Sequence, residues 1–312
     1  MFPGEPVWEA LLGMRHDSLE LTMDKPTSIL AIAGCRATDS DLVSKATRLA
    51  RRWGARLELF LCDADHAYAL EHAYEPSGVE EARRACMTQA KEYLVQLKNS
   101  AGAQDIQIST DAVCESPLYE GIVHKVLKSR PDFVMKNAGG EDPLCRSTFD
   151  ANDWQLMRTC PVTLMMTRGK TWPARPRFAA AVDVTEQETA GLAKTILQTA
   201  EGLMLTTGGD LEILYAKRAG VAADTGTAQE AALTELARQS HVEAAHVHIL
   251  AGNPEQALPA STRERDYDVL VLGALSHRKG IALVGTLTSK LVEVLDCDFV
   301  LVKPDTYRCP VE

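Results

Sequence analysis

The chain of 312 residues is 46% hydrophobic and 24% charged, and its formal net charge is −10. This length is sufficient for two domains of ordinary size, and the composition is that of a globular protein, not a fibrous or low-complexity one. The acidic balance argues against a general affinity for nucleic acid or anionic membranes. An acidic protein can still bind an anion such as ATP through a local site of backbone N–H groups.

Short apolar, β-rich runs alternate with longer segments of helical periodicity along the whole chain. In the first half the predicted strands are Ile29–Ala33, Arg56–Cys62, Ile106–Ala112, Phe133–Lys136 and Val162–Met166, and the predicted helices are Asp41–Trp53, Gly78–Leu97 and Leu118–Lys128. In the second half the strands are Phe178–Val182, Leu211–Ala216, Ala245–Ala251, Val269–Leu272 and Phe299–Lys303, and the helices are Glu188–Leu203, Gln229–Gln239 and Pro254–Arg263. Continuous apolar strands separated by helices indicate a parallel sheet covered on both faces.

The two halves repeat one layout. Asp132-Phe-Val-Met-Lys is followed by Cys160-Pro-Val, and Asp268-Val-Leu-Val-Leu is followed by Cys297-Asp-Phe, with Asp-to-Cys spacings that differ by a single residue. The offset is one domain length. We therefore predict two tandem doubly wound α/β domains, each with a five-stranded, mainly parallel sheet. The expected boundaries are an N-terminal tail (1–25), a first domain (26–168), a stiff linker rich in proline and basic residues (169–177) and a second domain (178–312).

The eight cysteines are scattered without a C-x-x-C pair, a distribution that fits a reducing cytosol better than a disulfide framework. The N-terminal segment has no basic region followed by an apolar core, and Met23 is an alternative start. No apolar run approaches the roughly 18 residues of a membrane span. These features predict a cytoplasmic protein without a membrane span.

The segment that follows Val269 combines small residues with the start of a predicted helix. It reads Val269-Leu-Val-Leu-Gly273-Ala-Leu-Ser276-His-Arg278-Lys-Gly-Ile-Ala-Leu-Val-Gly285-Thr286. A strand that ends in glycine lets the backbone approach a phosphate, and successive N–H groups in the loop beyond it form an anion nest. A Gly-Thr pair at the start of the next helix adds a hydroxyl group and the helix N-terminus.

This segment resembles the end of universal stress protein domains, where a strand leads into G-x2-G-x9-G-[ST]. Here Ser276 stands in place of the middle glycine, and one residue fewer separates it from Gly285. The run Asn152-Asp-Trp-Gln-Leu-Met-Arg-Thr-Cys160-Pro and the tail from Val302 to the end are similar to the tandem members of the E type. The resemblance covers roughly residues 25 to 312.

The resemblance implies an adenine nucleotide alpha hydrolase-like fold and a nucleotide site in the second domain, for ATP with Mg²⁺ or for another small ligand. The implied binding residues are Asp183, Ala216, Gly273, Ser276, Arg278, Gly285 and Thr286. Of these, Asp183 would contact the base or ribose, and the Arg278 guanidinium could clamp a phosphate. The family also implies that the two domains pair as a pseudo-twofold dimer within the chain through Val162–Met166 and Phe299–Lys303; a homodimer is left open.

The matching loop of the first domain is expected to be structural or to hold a different ligand. Asn137 takes the place of the leading glycine, and Glu141 and Asp142 would repel a phosphate. The first strand ends in Gly34-Cys35, with no acidic partner of the kind that Asp183 supplies.

Three functional hypotheses remain open at this stage. The favoured one is a non-enzymatic stress-response protein that senses a ligand, and the others are a slow ATPase switch and an interaction scaffold without nucleotide. No general base for hydrolysis is evident, and no G-x-S-x-G, Walker A or G-x-G-x-x-G motif occurs, so no catalytic residue is assigned. His246 and His248, on one face of a predicted strand, could bind a metal, or could simply lie on a solvated strand face.

Overall fold

The computed structural model describes residues 25–34, 37–71, 78–138, 149–185, 191–217, 223–240, 246–278, 281–284 and 286–311. In the first half the elements are β1 (Ser28–Ala33), α1 (Asp39–Trp53), β2 (Arg56–Cys62), α2 (Ala64–Glu71), α3 (Val79–Ser100), β3 (Ile108–Val113), α4 (Leu118–Ser129), β4 (Phe133–Asn137), α5 (Ala151–Thr159) and β5 (Thr163–Thr167). In the second half they are β6 (Arg177–Ala181), α6 (Leu192–Thr207), β7 (Asp210–Lys217), α7 (Ala223–Arg238), β8 (Val247–Ala251), α8 (Pro254–Glu264), β9 (Val269–Gly273), β10 (Leu275–Arg278), β11 (Ile281–Val284), α9 (Thr286–Val294) and β12 (Asp298–Val302).

A single 10-stranded sheet runs through both halves, in the order β3-β2-β1-β4-β5-β12-β9-β6-β7-β8. Within each half of this sheet all neighbouring strands are parallel, for example β1 with β4 and β6 with β9. The predicted fold class is therefore confirmed, with the same doubly wound strand order in both halves. The two five-stranded sheets merge where β5 pairs antiparallel with β12, which sets Met165 opposite Val300.

Helices cover both faces of this sheet because successive strand residues point to opposite sides. Ile29, Leu57 and Phe178 face the layer of α1, α3 and α6, whereas Leu30, Phe60 and Phe299 face the layer of α4, α5, α8 and α9. Each layer is continuous from one half to the other. The halves also meet directly between helices, where the Trp53 indole N–H donates to the Thr206 hydroxyl at 2.6 Å.

A buried carboxylate lies where the connection between the halves crosses the sheet. Asp298, only 1% exposed, accepts hydrogen bonds from Lys45 Nζ at 2.6 Å, from the Arg168 backbone N–H at 2.7 Å and from Trp172 Nε1 at 2.8 Å. The predicted linker segment is thus docked onto both halves, since Trp172 is itself buried and packs edge-on against Phe178.

The last described residues return to the first half and cap α5. Tyr307 donates its hydroxyl proton to the Arg158 carbonyl at 2.6 Å, and Lys303 Nζ contacts the same carbonyl at 3.1 Å. Cys309 Sγ donates to the Thr159 carbonyl at 3.2 Å. These carbonyls have no partner within the helix, so the tail supplies the hydrogen bonds that the end of α5 needs. Burial lowers the pKa of Lys303 to about 8.

Two elements differ in kind from the sequence expectation. Helix α2 was not predicted, and the segment read as a phosphate loop contains the antiparallel hairpin β10–β11. Two predicted ends, at Glu188 and Ala245, lie outside the described residues, as do residues 1–24. No helix in the described part of the chain is both long and apolar enough to cross a membrane.

Candidate ligand-binding edge

Three of the residues implied by the resemblance lie at the carboxyl edge of the second half. Asp183 follows β6, Ala216 is near the end of β7 and Gly273 ends β9. Strands β6 and β9 are neighbours, with Ala180 beside Val271, and β7 pairs on the other side of β6. From β6 the chain winds outward to β7 and β8 and then returns to β9, so a topological switch point lies between β6 and β9. Ligands of open α/β sheets bind in the crevice at such a point.

Asp183 is exposed at this edge, and its carboxylate makes a local turn. Its Oδ1 accepts a hydrogen bond from the backbone N–H of Thr185 at 3.0 Å. The carboxylate therefore has a defined orientation while remaining accessible to solvent. Residues 186–190, which follow, lie outside the described part of the chain.

Gly273 is closely packed by the protein itself. A Cβ at this position would lie 2.9 Å from Leu192 Cδ2, in the first turn of α6. The Gly273 carbonyl accepts a hydrogen bond from Thr288 Oγ1 at 2.8 Å. From the sequence, this glycine was expected to let a phosphate approach the backbone. In the structure, the lack of a side chain at Gly273 instead lets α6 pack closely on β9.

The predicted phosphate loop is in part a regular hairpin. Ser276 is opposite Leu283 and Arg278 is opposite Ile281 in the β10–β11 ladder. A ladder joins N–H groups of one strand to carbonyls of the other, so the expectation of an irregular nest across this whole segment was wrong. Strand β11 lies beside α5 of the first half. Gly285 is outside the described residues, and α9 begins at Thr286, where the sequence placed a helix start.

The same edge of the first half is filled by buried polar side chains. Asn137, which ends β4 as Gly273 ends β9, donates from Nδ2 to Asp39 Oδ1 at 2.9 Å and accepts from Thr167 Oγ1 at 2.6 Å. Asp39 Oδ2 accepts from the Tyr93 hydroxyl at 2.8 Å and from the Gly34 backbone N–H at 2.9 Å. Asp39 is fully buried and Asn137 is 5% exposed.

Asp39 overturns one expectation from the sequence. The end of β1 was expected to have no acidic partner, but Asp39 supplies one from the start of α1. A carboxylate there is stabilised by the helix N-terminus, where the free N–H groups attract negative charge. The protein thus fills this edge with a carboxylate of its own, buried among Gly34, Tyr93 and Asn137. Glu141 and Asp142, to which the sequence interpretation assigned the repulsion of phosphate, lie outside the described residues.

A buried ion pair adds a second difference beside Asn137. Lys136 Nζ lies 2.6 Å from Asp153 Oδ1, with side chains 7% and 0% exposed. The corresponding residue of β9 is Leu272, which packs in the apolar core. A lysine and a carboxylate therefore fix α5 to β4 in the first half, where the second half uses an aliphatic contact.

The two histidines that were considered as metal ligands lie in different surroundings. His246 precedes β8 and is exposed, whereas His248 Nε2 lies 2.8 Å from Glu212 Oε2 and 3.2 Å from Arg265 Nη1. Arg177 lies 3.2 Å from the other oxygen of Glu212. Two guanidinium groups around the same carboxylate oppose the binding of a metal cation at His248.

Glu212 is the centre of this cluster. Burial alone would raise the pKa of Glu212, but the hydrogen bond from the Tyr267 hydroxyl and the charges of His248 and Arg177 lower it on balance. Burial and the same hydrogen bond raise the pKa of Tyr267. The carboxylate is thus held ionised within a mainly cationic cluster at the amino side of the sheet.

Comparison with known proteins gives the family. The sequence profile described as the Universal stress protein family matches residues 179–303, which span β6 to β12. The second half therefore carries a universal stress protein domain, and over most of its length the chain is similar to proteins named for that family. A protein named Universal stress protein E from Photorhabdus laumondii is 24% identical over 306 residues, covering 91% of this chain and 97% of that relative. The protein of the same name from Escherichia coli K12 is 23% identical over 305 residues, covering 91% and 96%.

Solved structures agree on the fold over nearly the full length of this chain. A functionally unknown protein from Pseudomonas aeruginosa PAO1 superposes with a TM-score of 0.70 at 20% identity, covering 90% of this chain and 93% of that one. A universal stress protein from Archaeoglobus fulgidus gives a TM-score of 0.69 at 13% identity, covering 90% and 99%. At these identities the likeness establishes the tandem architecture and no more.

Proposed function

We propose that the second half binds ATP with Mg²⁺, or another small ligand, and that the protein acts as a non-enzymatic stress-response sensor in the cytoplasm. The observation that carries the proposal is the convergence of Asp183, Ala216 and Gly273 on the switch point between β6 and β9. Ligand occupancy would alter conformation or the choice of partner.

The openness of this edge supports the proposal. Asp183 is exposed and has no described side-chain cation next to it, so its carboxylate is available to the hydroxyl groups of a ribose or the amine of a base. The start of α9 at Thr286 offers backbone N–H groups on the same side, as a phosphate requires. The motif assigns the Thr286 hydroxyl to the Mg²⁺ ion. Ser276, Arg278 and Gly285 belong to the proposal through the motif, and Arg278 would have to reach the phosphates from the hairpin.

The decisive experiment combines identification of a bound molecule with a titration. The purified full-length protein is denatured and the released small molecules are identified by mass spectrometry. Mg·ATP is then titrated calorimetrically into protein stripped of ligand, and inorganic phosphate is measured in the same samples. Steady phosphate release that depends on the protein would favour the slow ATPase over the sensor.

Two variants test the site residues. Asp183→Ala should weaken Mg·ATP binding by about tenfold or more, since a hydrogen bond to a charged group contributes about 1.5–3 kcal/mol. Gly285→Arg should abolish binding by placing a long side chain at the start of α9. Asp210→Ala is the matched control, because Asp210 is an exposed aspartate at the opposite edge of the same half. Equal affinity in all four proteins, each with an unchanged melting temperature without ligand, would refute the site.

A further inference from the structure

Oxygen, nitrogen and sulfur donors converge in the first half, where β2 ends. Asp63 follows β2, His66 lies in the first turn of α2 and Cys86 lies in α3. Both carboxylate oxygens of Asp63 are 3.0 Å from His66 Nδ1, and Cys86 Sγ is 2.7 Å from Asp63 Oδ2. One donor atom from each residue lies within 4.8 Å of the other two.

A second thiol adjoins this group. Cys114 directly follows β3, which pairs with β2 so that Cys62 is beside Val113, and the Asp63 N–H donates to the Val113 carbonyl at 2.8 Å. Cys114 is therefore next to Asp63 across the strand pair, and it shares a side-chain hydrogen bond with Cys86. A second thiol, that of Cys114, thus lies beside the group formed by Asp63, His66 and Cys86.

Local folding explains only part of this arrangement. The Asp63 carboxylate also accepts from the backbone N–H of His66 at 3.1 Å, as expected of an N-terminal cap of α2. Capping accounts for the approach of Asp63 to His66. It does not account for the two cysteines, which come from α3 and from the end of β3.

We propose that Asp63, His66, Cys86 and Cys114 bind a Zn²⁺ ion. Thiolate, imidazole and carboxylate are the ligands that zinc takes in four-coordinate sites. Zinc–ligand bonds of about 2.0–2.3 Å set neighbouring ligand atoms roughly 3.3–3.8 Å apart, so the present contacts of 2.7–3.0 Å need to open only slightly to admit the ion. Each cysteine that binds gives its thiol proton to solvent and forms a bond from sulfur to zinc.

The burial of the donors fits a site with one open side. Cys86 is 7% exposed, and the Asp63 side chain is 18% exposed. The His66 side chain is 64% exposed and would close over an ion that arrives from solvent. This cluster lies at strands β2 and β3 of the first half, so the zinc proposal stands apart from the nucleotide proposal.

The test uses full-length protein purified under reducing conditions and treated with a chelator. Zn²⁺ is titrated against a competing chromophoric chelator, and Co²⁺ is added to a second sample to report thiolate ligands through a charge-transfer band in the near ultraviolet. We expect one tight equivalent of metal per chain and a clear charge-transfer band. His66→Ala and Cys86→Ser should each lower the zinc affinity by about 100-fold or more, beyond the losses seen on removal of outer-shell groups.

The controls are His246→Ala and Cys309→Ser, which remove a histidine and a thiol elsewhere in the chain. His66→Ala changes an exposed side chain, so it keeps the test valid if Cys86→Ser does not fold. Wild-type zinc affinity in His66→Ala and Cys86→Ser, or cobalt binding without a thiolate band, would overturn the proposal. Neither result would bear on ATP binding by the second half.

Discussion

The two halves have the same fold, but the carboxyl edges of their sheets differ in polarity and burial. In the first half Asn137 ends β4, and a buried Asp39 fills the space in front of it. In the second half Gly273 ends β9, and the acidic residue nearby, Asp183, is exposed. A strand order shared by both halves therefore does not preserve a ligand site. What differs is whether the acidic side chain near the switch point is buried in the protein's own hydrogen bonds or exposed to solvent.

The difference is concentrated at that edge. Glu58 of β2 and Glu212 of β7 hold matching positions near the other end of the sheet, and both are paired with cations. Lys125 forms an ion pair with Glu58, and Arg177 is one of the cations that pair with Glu212. Each half thus has a carboxylate paired with a cation on its second strand, whereas the carboxyl edges of the two halves differ.

The largest effect is expected from breaking the ion pair of Lys136 with Asp153, since the second half has Leu272 at the position of Lys136. Asp153→Ala leaves the buried ammonium group of Lys136 without its carboxylate, and such a loss typically costs about 3–5 kcal/mol of unfolding free energy. The double variant Lys136→Leu/Asp153→Ala, which places at 136 the residue type found at 272, should recover most of that loss. Urea denaturation of the three proteins measures both steps. If the double variant is as unstable as Asp153→Ala, the unpaired charge is not the cause.

A smaller loss of stability is expected when Asn137 is replaced by glycine, the residue that ends the corresponding strand of the second half. Asn137→Gly removes the hydrogen bonds to Asp39 and Thr167 and leaves buried polar atoms behind, at a cost of roughly 2–3 kcal/mol. Asn99→Ala, at an exposed position near the end of α3, is the control and should be close to neutral. A thermal melt that is unchanged by Asn137→Gly would show that the network does not stabilise this edge.

The smallest effect on stability is expected at Glu212, the paired carboxylate on the second strand of the second half. The lowered pKa of Glu212 means that its contribution to stability is complete above pH 4.5, its ordinary pKa, and is lost as pH falls below that value through the folded pKa. Glu212→Gln should therefore destabilise the protein by about 1–2 kcal/mol at neutral pH, with a difference from wild type that shrinks in acid. Unfolding free energies measured from neutral to acidic pH test this. Glu264→Gln is the exposed control, and a constant difference for Glu212→Gln across the range would contradict the assignment.

Much of the fold follows from periodicity, because strand and helix patterns are local. The strand Arg56–Cys62 has the predicted bounds, and the order of alternating elements gave the doubly wound class. Helix α2 was missed because its sequence, Ala-Asp-His-Ala-Tyr-Ala-Leu-Glu, has no apolar stripe, and Tyr68 is 59% exposed. For His277-Arg278-Lys279 a ligand loop and a solvated hairpin were both possible, and the family motif favoured the loop although Lys279-Gly280 is a turn signal.

The candidate sites were less accessible to sequence reasoning. The positions of Asp183 and Gly273 at strand ends could be predicted from the family resemblance, and their contact with a ligand stays a prediction. The contact of Asn137 with Asp39 joins residues far apart in the chain, and Asp39 lies just outside the helix that was predicted from Asp41. The approach of Cys86 to Asp63 likewise depends on how α3 packs, which no local pattern reports.

The antiparallel junction of β5 with β12 has a consequence for how this molecule could change over time. It points the carboxyl edges of the two halves in opposite directions, as in a dimer with a twofold axis. In a dimer of identical chains every substitution appears in both subunits, so neither edge can change alone. A single polypeptide is free of that constraint and keeps its two halves in one-to-one ratio at any concentration. Asn137 and Gly273 can therefore coexist in one molecule, as they would in a heterodimer whose two edges differ.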